Sequence, residues 1–377
     1  MNKKVILSVT NDIAIDQRVK RSAGTLQEMG FDVWVIGRKL PNSLPVDELG
    51  FQTKRFAQWF TKGALFYATY NTRLFFYLLF KKADLLFAND LDTLLPNYLV
   101  SKIKNIPLVY DSHEYFTGVP ELESRPFVKS VWKKIERFVF PKLKNAITVN
   151  ESIAGLYENE YGVKLSVIRN VPQCSLVSGD KVELRKKYNL PLGKNIIILQ
   201  GSGINVHRGA EEAVLAMQNM DNVLLLIIGG GDVFDFLKDL ITQNNLDQKV
   251  ELRNKVPNEE LKKITYCCDA GLSLDKDTNI NYRFSLPNKL FDYIHAGVPV
   301  VASDLTEVKK IILQYNVGKI IPSHNPKDIA ETIQMLFKNE IEYHQLKLNT
   351  QKAKAELCWE KEKEVFISLI SKIEFDK

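Results

Sequence analysis

Short runs of β-branched and aliphatic residues alternate with longer segments whose apolar positions recur every three or four residues. This alternation continues along the whole chain and is typical of parallel β-sheets joined by crossover helices. In the first half, strands are predicted at residues 4–9, 32–37, 84–89, 107–111, 146–150 and 165–170. In the second half, strands are predicted at residues 195–200, 223–228, 250–252, 270–274, 299–302 and 318–321.

Three segments have distinct helical patterns. Over residues 16–29, Val19, Ala23 and Leu26 recur at helical spacing, and Gly30 ends the helix. Residues 65–80 are apolar and aromatic, but they are shorter than the ~20 residues of a spanning helix and contain Arg73. This second segment is either a buried helix of the domain or a monotopic, membrane-facing helix.

Residues 126–145 are also predicted to be helical and combine an apolar stripe with a basic one. The usual interpretation of such a helix is that it packs on a core and solvates its other face. The stripes consist of Val128, Trp132, Ile135 and Val139, and of Lys129, Lys133 and Arg137.

A polar stretch over residues 171–193, with Pro172 and Pro191, separates the two series of strands. Two doubly wound, Rossmann-like halves are therefore predicted rather than one large sheet. In open sheets of this kind, ligands bind just past the carboxyl ends of the strands. A cleft between two such halves suits a nucleotide-type ligand.

The composition agrees with a globular chain of two or three domains: 377 residues, 45% hydrophobic and 25% charged. It excludes a disordered or collagen-like protein. The four cysteines are too few and too scattered for a disulfide framework, and the adjacent pair Cys267 and Cys268 lacks zinc-site spacing. We expect reduced, mostly buried thiols. The apolar run at residues 5–9 is too short for a signal peptide, so a cytoplasmic protein is expected.

The net charge of +6 is unevenly distributed along the chain. Residues 1–172 contain 24 basic and 17 acidic residues, which gives +7, and the remainder carries −1. An anionic partner of the first half, either a membrane surface or an acidic substrate, would explain the difference. An incidental surface bias is the alternative.

Four sequence segments are candidates for chemistry. The loop from Gln200 to Gly209 joins a predicted strand to a helix, and its glycines and Arg208 suit a phosphate group. In residues 282–293, Asn288 and Asp292 share a helical face, and Asp292 is placed to bind ribose hydroxyls. A surface helix leading into a core strand is the alternative for that segment.

The other two candidates lie in the first half. His113 follows a strand between carboxylates, where it either bonds sugar hydroxyls and moves protons or serves as a structural hydrogen-bonding group. Asp90-Leu91-Asp92 has the Asp-x-Asp form of a metal–diphosphate site, but it follows a strand and precedes a predicted helix. Helix capping is therefore the favoured role of this triplet.

In these motifs the chain resembles the family-four retaining glycosyltransferases with the two-Rossmann GT-B fold, especially their bacterial surface-polysaccharide members. The resemblance covers nearly the whole chain, and the order and spacing of its motifs carry it. These motifs are Asp111-Ser112-His113-Glu114, the loop from Gly201 to Gly209, Gly229-Gly230-Gly231-Asp232, and the segment 286–292 before Ala296-Gly297-Val298-Pro299.

The resemblance implies an α/β chain with three parts. They are an acceptor-side domain at residues 1–172, a nucleotide-sugar-binding domain at 173–355, and a C-terminal helix at 356–377. Trp359-Glu360 matches the start of this helix, which crosses back to the first domain.

The resemblance also implies roles for individual residues. Arg208, assisted by Lys289, would hold the donor diphosphate, and His113 would lie near the transferred sugar. Asp292 would bind the ribose, and Val256 would lie against the base. The full set of implied donor-binding residues is Gly201, Gly203, Gly209, Gly230, Val256, Ser285, Leu286, Asn288 and Asp292.

The expected activity is retaining transfer of a hexosyl or N-acetylhexosaminyl group from a UDP- or GDP-sugar to a glycan or lipid-linked glycan acceptor. The cell-envelope polysaccharides are the expected product class. No cofactor, essential metal or nucleic-acid partner is expected, and the inner face of the cell membrane is the expected surface if the basic half binds one.

Two departures from the family pattern keep two alternatives open. Phe284 stands where the first acid of the family's Glu-x7-Glu motif belongs, and Thr10-Asn11-Asp12 replaces the usual glycine pair after the first strand. The alternatives are a sugar-nucleotide 2-epimerase with the same architecture and a non-catalytic nucleotide-sugar-binding relative.

Overall fold

The structure is a computed structural model that describes residues 2–46, 49–174 and 177–375. It divides into two compact units. One contains the chain up to Asn170 together with the residues from Glu362 onward, and the other runs from Val171 to Lys361. The boundaries expected from the sequence, after residues 172 and 355, lie close to these divisions but not on them.

The first unit is built around a parallel sheet with the strand order β3-β2-β1-β4-β5-β6-β7 in the described residues. Its elements are β1 (Lys4–Ser8), α1 (Gln17–Glu28), β2 (Asp32–Lys39), β3 (Gln52–Ala57), α2 (Gly63–Phe80), β4 (Leu85–Asn89), α3 (Leu91–Lys104), β5 (Leu108–Ser112), α4 (Pro120–Glu123), α5 (Pro126–Val139), β6 (Asn145–Thr148), α6 (Glu151–Tyr161) and β7 (Ser166–Val167).

The second unit is built around a parallel sheet with the order β10-β9-β8-β11-β12-β13 in the part of the chain described. Its elements are α7 (Lys181–Lys187), β8 (Asn195–Gly201), α8 (Ala210–Ala216), β9 (Val223–Gly229), α9 (Phe234–Gln243), β10 (Val250–Asn254), α10 (Asn258–Cys267), β11 (Ala270–Ser273), α11 (Ile280–Arg283), α12 (Asn288–His295), β12 (Val300–Ala302), α13 (Thr306–Tyr315), β13 (Gly318–Ile320), α14 (Pro326–Lys338) and α15 (Glu340–Glu356). Helix α16 (Trp359–Ser371) begins in the second unit, and its residues from Glu362 onward belong to the first unit.

The prediction of two Rossmann-like parallel sheets is therefore confirmed. In the first sheet the direction in which strands are added reverses between β1 and β4, and in the second it reverses between β8 and β11. Such a reversal opens a crevice at the carboxyl edge of the sheet, where ligands bind in open α/β folds. The topology thus gives each unit one favoured edge for a site.

The sequence pattern missed one strand and extended one helix too far. Strand β3 lies at the edge of the first sheet, and Phe56 is its fully buried residue, so its polar composition concealed it. Helix α5 ends at Val139 rather than near residue 145, because Pro141 follows and cannot continue the backbone hydrogen bonds.

Helix α2 begins at Gly63 and ends at Phe80. Its Phe66, Tyr70, Leu74 and Leu78 are buried at helical spacing. The interpretation as a helix of the domain therefore holds for this face. No helix in the described part of the chain combines the length and hydropathy needed to cross a bilayer.

In the second unit, helix α12 lies directly on the sheet because β11 contains a glycine. A Cβ added at Gly271 would lie 2.3 Å from Cγ of Tyr293, whose ring is fully buried. The Tyr293 hydroxyl donates to the carbonyl of Leu272 at 3.1 Å and accepts from the backbone N–H of Gln200 at 3.2 Å. Gly271 thus sets how closely α12 approaches the strands.

We expect Gly271→Ala to lower the free energy of unfolding by about 2 kcal/mol, because the added methyl group overpacks the Tyr293 ring. Chemical denaturation measures this loss. The matched control is Gly155→Ala in α6, where an added Cβ meets nothing within 4 Å. The control should be neutral or stabilising by up to about 1 kcal/mol. Equal stability of the two variants would contradict the packing argument.

Candidate functional site

The predicted donor-binding residues of the second unit gather at the carboxyl edge of its sheet. Gly201 is the last residue of β8, and Gly230 and Gly231 directly follow β9. A Cβ at Gly229 would lie 2.0 Å from the carbonyl oxygen of Gly201, and one at Gly231 would lie 2.2 Å from that of Ile204. These glycines allow the loop after β8 to lie against the turn after β9.

Further backbone contacts hold the same loop in place. The N–H of Ile204 donates to the carbonyl of Gly230 at 2.8 Å, and Lys276 N–H donates to that of His207 at 2.9 Å. Gly209 has a φ of 75°, and a Cβ there would lie 2.4 Å from the carbonyl oxygen of Leu274. The loops after β8, β9 and β11 therefore form one packed edge.

Asp275 brings the two predicted cationic residues together. Its carboxylate is fully buried just past β11 and contacts Arg208 Nη1 at 3.0 Å through one oxygen and Lys289 Nζ at 3.0 Å through the other. Burial raises the pKa of Asp275, but the charges of Lys289 and Arg208 outweigh this effect and lower the pKa below its usual value. The cluster therefore carries one net positive charge.

The cations retain hydrogen-bonding capacity beyond Asp275. The Arg208 guanidinium lies 4.7 Å from the ring centroid of Tyr282. Arg208 Nε and Ser285 Oγ are among the buried side-chain atoms of the described residues that have no hydrogen-bond partner. Buried polar groups are rarely left unpaired unless a ligand or water satisfies them. The donor set fits an anion with several oxygens, such as a diphosphate.

Asp292 belongs to a second cluster of polar side chains, which lines a pocket of the second unit. Its Oδ2 accepts from Gln200 Nε2 at 3.2 Å, and Thr265 Oγ1 donates to Gln200 Oε1 at 2.6 Å. Asn258 lines this pocket together with those three side chains. Carboxylate, amide and hydroxyl groups can each hydrogen-bond to a hydroxyl group of a ligand.

The remaining predicted residues occupy less specific positions. Asn288 is the exposed first residue of α12, and Gly203 lies within the loop after β8. Val256 and Leu286 are half-buried and pack against the hydrophobic core. Phe284 follows α11 and donates its backbone N–H to Ile280 at 3.3 Å. The contacts expected between a donor and Asn288, Gly203, Val256 or Leu286 stay predictions.

His113 belongs to the first unit, at the carboxyl edge of β5. Its Nδ1 lies 3.1 Å from Asp90 Oδ2, and its Nε2 lies 3.6 Å from Asp111 Oδ2. Burial lowers the pKa of His113, but the charges of Asp90 and Asp111 raise it well above its ordinary value. The imidazole is therefore held as a cation between two carboxylates.

A buried arginine orients the second of these carboxylates. Arg18 donates to both oxygens of Asp111, at 2.9 Å from Nε and 2.6 Å from Nη2, and donates to the carbonyl of Ile168 at 2.8 Å. This bidentate pair fixes Asp111, which in turn faces His113. Arg18 is not predicted from the sequence, because nothing in its local pattern distinguishes it from a surface arginine of α1.

The preferred capping role of the Asp90-Leu91-Asp92 triplet was wrong for Asp90. Asp90 is the N-cap residue of α3, but its side chain makes no capping hydrogen bond and instead accepts from His113 N–H at 2.9 Å. Burial and the charge of Asp90 raise the pKa of Asp92 to about 8. Thr10 Oγ1 lies 2.5 Å from Asp92 Oδ2, so the unusual residue after the first strand contacts this acid.

Asp275 was also missed, although a signal was present. It directly follows the predicted strand 270–274, and an acid at the carboxyl end of a parallel strand is placed to meet loops from neighbouring strands. What the sequence did not reveal is that the two candidate cations, 81 positions apart, share this one carboxylate.

We expect Asp275→Asn to lower the free energy of unfolding by about 3 kcal/mol at neutral pH, because two largely buried cations lose their counterion. The lowered pKa of Asp275 makes its contribution complete above the usual carboxyl pKa and lost as the pH falls through the folded-state value. The deficit of the variant should therefore shrink in acid.

Urea denaturation across a pH series measures this difference. Asp277→Asn is the matched control, because Asp277 pairs with Arg283 on the exposed surface. It should change stability by less than about 1 kcal/mol. A pH-independent deficit in Asp275→Asn would contradict the assigned charge state.

Comparison with known families gives two matches that together cover most of the chain. The model described as "Glycosyltransferase Family 4" matches residues 16–172. The model described as "Glycosyl transferases group 1" matches residues 180–353. The first match covers the strands and helices around His113, and the second covers the edge that contains Arg208, Lys289 and Asp275.

A curated relative is the chitobiosyldiphosphodolichol beta-mannosyltransferase of Candida albicans. It is 21% identical over 234 residues, which cover 58% of this chain and 50% of that protein. The chain therefore matches about half the length of this relative.

Solved structures match over nearly the entire chain. Sucrose-phosphate synthase from Thermosynechococcus elongatus has a TM-score of 0.82 at 16% identity and covers 98% of each chain. Anabaena HepE in complex with UDP-glucose has a TM-score of 0.76 at 14% identity, over 98% of this chain and 100% of that one. At such low identity these matches establish a shared fold.

Proposed function

Because this chain belongs to the glycosyltransferases with the GT-B fold, with a family 4 region followed by a group 1 region, we propose that its donor is a UDP- or GDP-sugar. The sugar is hexosyl or N-acetylhexosaminyl, and the acceptor is a glycan or lipid-linked glycan of the cell envelope. The observation that carries the proposal is the pair of cations held on Asp275 at the carboxyl edge of the second sheet.

The proposed reaction depends on stabilising the leaving group. As the bond between the sugar and the diphosphate lengthens, negative charge develops on the diphosphate oxygens and positive charge on the anomeric carbon. Arg208 and Lys289 are placed to neutralise the diphosphate charge, and electrostatic stabilisation of this kind is often the largest catalytic contribution. We propose that these cations supply the role that a divalent metal has in other transferases.

The remaining roles are those that the family-four resemblance implies. Asp292, held by Gln200, binds the ribose hydroxyls, and Val256 lies against the base. His113, held between Asp90 and Asp111, lies near the transferred sugar. Because its imidazole is already protonated, it acts as a hydrogen-bond donor and a positive charge rather than as a base.

The solved HepE structures support the nucleotide part of the proposal, because HepE was crystallised with UDP and with UDP-glucose. The name of the Candida relative specifies a beta-mannosyl product. We propose that this chain instead retains the donor's configuration, as the family-four resemblance implies. The anomeric configuration of the product, read by NMR, distinguishes the two outcomes.

The first experiment is calorimetric titration with UDP and with GDP. We expect one of them to bind, and we expect Arg208→Ala to weaken binding by about 1.5–3 kcal/mol, the typical value of a charged hydrogen bond. Lys338→Ala is the control, since Lys338 lies in the last turn of α14. That turn lies away from the carboxyl edge, so removal of the Lys338 side chain should leave nucleotide binding unchanged.

Several results would contradict the proposal. Absence of binding to either nucleotide would exclude UDP- and GDP-sugars as donors. Nucleotide binding without any turnover would favour the non-catalytic relative, and isomerised sugar nucleotide formed without an acceptor would favour the epimerase. Unchanged affinity of Arg208→Ala would exclude this residue from the diphosphate site. Transfer that depends on added Mg²⁺ or Mn²⁺ would contradict the role given to the two cations.

We also propose that the first unit contacts a membrane surface through the layer formed by α2, α3 and α5. Helix α3 packs against both α2 and α5. Large apolar side chains are exposed along this layer, namely Leu65, Phe76, Phe80, Ile103, Phe127 and Phe138. Exposed aromatic residues beside basic ones are typical of interfacial membrane contact.

A pocket at the end of this layer carries positive charge, which attracts anionic lipids. Lys102, Lys142, Lys144 and Lys372 line it, with Glu374 as the one acid among its described lining residues. Each lysine near an anionic bilayer contributes about 1 kcal/mol of attraction.

We expect the full chain to sediment with vesicles rich in phosphatidylglycerol at low salt, and to be released as salt screens the attraction. Lys102→Glu combined with Lys142→Glu should abolish sedimentation. Lys309→Glu combined with Lys310→Glu, on α13 of the second unit, is the matched control. Equal sedimentation with uncharged phosphatidylcholine vesicles, or an effect of the control pair, would contradict the proposal.

A further inference from the structure

Two cysteines far apart in sequence lie together where the chain enters and leaves the second unit. Cys174 follows the first passage between units, and Cys358 precedes the second. Their sulfur atoms and a carboxylate oxygen of Glu360 all lie within 4.8 Å of one another. Cys358 is buried and Cys174 is exposed, so the group is accessible from one side.

Hydrogen bonds of the backbone hold the two segments side by side. Trp359 N–H donates to the carbonyl of Pro172 at 2.9 Å, and Cys174 N–H donates to Glu360 Oε2 at 3.0 Å. The second bond fixes one carboxylate oxygen of Glu360. Such a partner orients a ligand in the way that outer hydrogen bonds orient metal-binding side chains.

The thiols themselves have weak partners that a metal ion can replace. Cys358 Sγ lies 3.5 Å from the carbonyl oxygen of Ala355, and Cys174 Sγ lies 3.8 Å from that of Lys354. Thiols are weak hydrogen-bond donors, so little is lost when they are deprotonated and turned toward a cation.

We propose that Cys174, Cys358 and Glu360 bind a Zn²⁺ ion, with water in the fourth position. Two sulfur ligands and one carboxylate match the soft-to-borderline preference of zinc and its tetrahedral geometry. Binding releases one proton from each thiol, and the sulfur and carboxylate oxygen donate their electron pairs to the ion. No oxidant or reductant takes part.

The expected consequence is structural rather than catalytic, because no residue of this cluster belongs to the proposed donor site. A zinc ion would join residues 174 and 358, which lie near the two ends of the second unit, and would close that unit into a loop. A ligand that binds only the folded chain raises its melting temperature.

The test is titration of the reduced full chain with Zn²⁺ alone, in the absence of nucleotide. We expect one ion per chain, a rise in melting temperature, and a thiolate-to-metal charge-transfer band when Co²⁺ replaces Zn²⁺. Cys174→Ser and Glu360→Gln should each weaken binding by at least about tenfold, and Cys174→Ser should reduce the band.

Two controls match the ligands in type. Cys267→Ser removes a buried thiol of the same unit outside the cluster, and Glu356→Gln removes a nearby carboxylate that pairs with Tyr315. Both should bind Zn²⁺ as the unmodified chain does. Because Cys174 is exposed, its substitution keeps the test valid if Cys358→Ser does not fold.

Three results would overturn the proposal. They are the absence of stoichiometric Zn²⁺ binding, binding that Cys174→Ser leaves unchanged, and a Cys174–Cys358 disulfide in peptides from freshly isolated protein. The measurement uses neither donor nor acceptor, so its outcome is separate from that of the transferase proposal.

Discussion

The carboxylate of Asp275 is the constraint on which the carboxyl edge of the second sheet depends. A positively charged edge made of glycine-rich loops lacks the side-chain packing that would hold two long cations in place. One buried carboxylate solves this problem, because it engages Arg208 and Lys289 through different oxygen atoms. Its own position is fixed by the packing of the neighbouring Leu274 against Gly209. Backbone contacts therefore fix Asp275, and Asp275 in turn fixes the positions of the two cations.

The same principle operates with the opposite polarity in the first unit. There a buried arginine fixes a carboxylate, and that carboxylate with Asp90 fixes a histidine. Asp90 has a φ of 59°, an uncommon conformation for a residue with a side chain. This backbone turn directs its carboxylate toward His113 instead of the helix it precedes. Both units thus use buried charged side chains to position functional groups of the opposite charge at the carboxyl edge.

Most of the fold could be predicted from the sequence because buried parallel strands are short, apolar and evenly interrupted by turns. The edge strand β3 was not predicted, because it has one fully buried residue, Phe56, and is otherwise polar like a loop. The predicted end of helix α5 lay too far along the chain, because the periodic apolar pattern continues past Pro141, where the helix cannot continue. The local sequence pattern alone does not predict such elements, because edge strands and helix ends depend on tertiary contacts.

The candidate site was predicted less completely for a different reason. Glycines, Arg208, Lys289 and Asp292 stand next to strand ends and can be found by their local context. Asp275, Arg18 and the pairing of Cys174 with Cys358 depend on contacts between residues that are 67, 93 and 184 positions apart. Spacing along the chain contains no information about such contacts until the strand order is known.

The first unit is discontinuous in sequence, since its last helix is completed only after the whole second unit. Phe366 of α16 is buried against Phe87 of β4, and Glu362 accepts from both the backbone and the side chain of Arg169. During synthesis, the second unit therefore has all of its residues before the first unit does. A premature stop before residue 362 would remove Phe366 and Glu362 and so damage the unit that was made first. The order of translation and the order of completion are thus reversed in this chain.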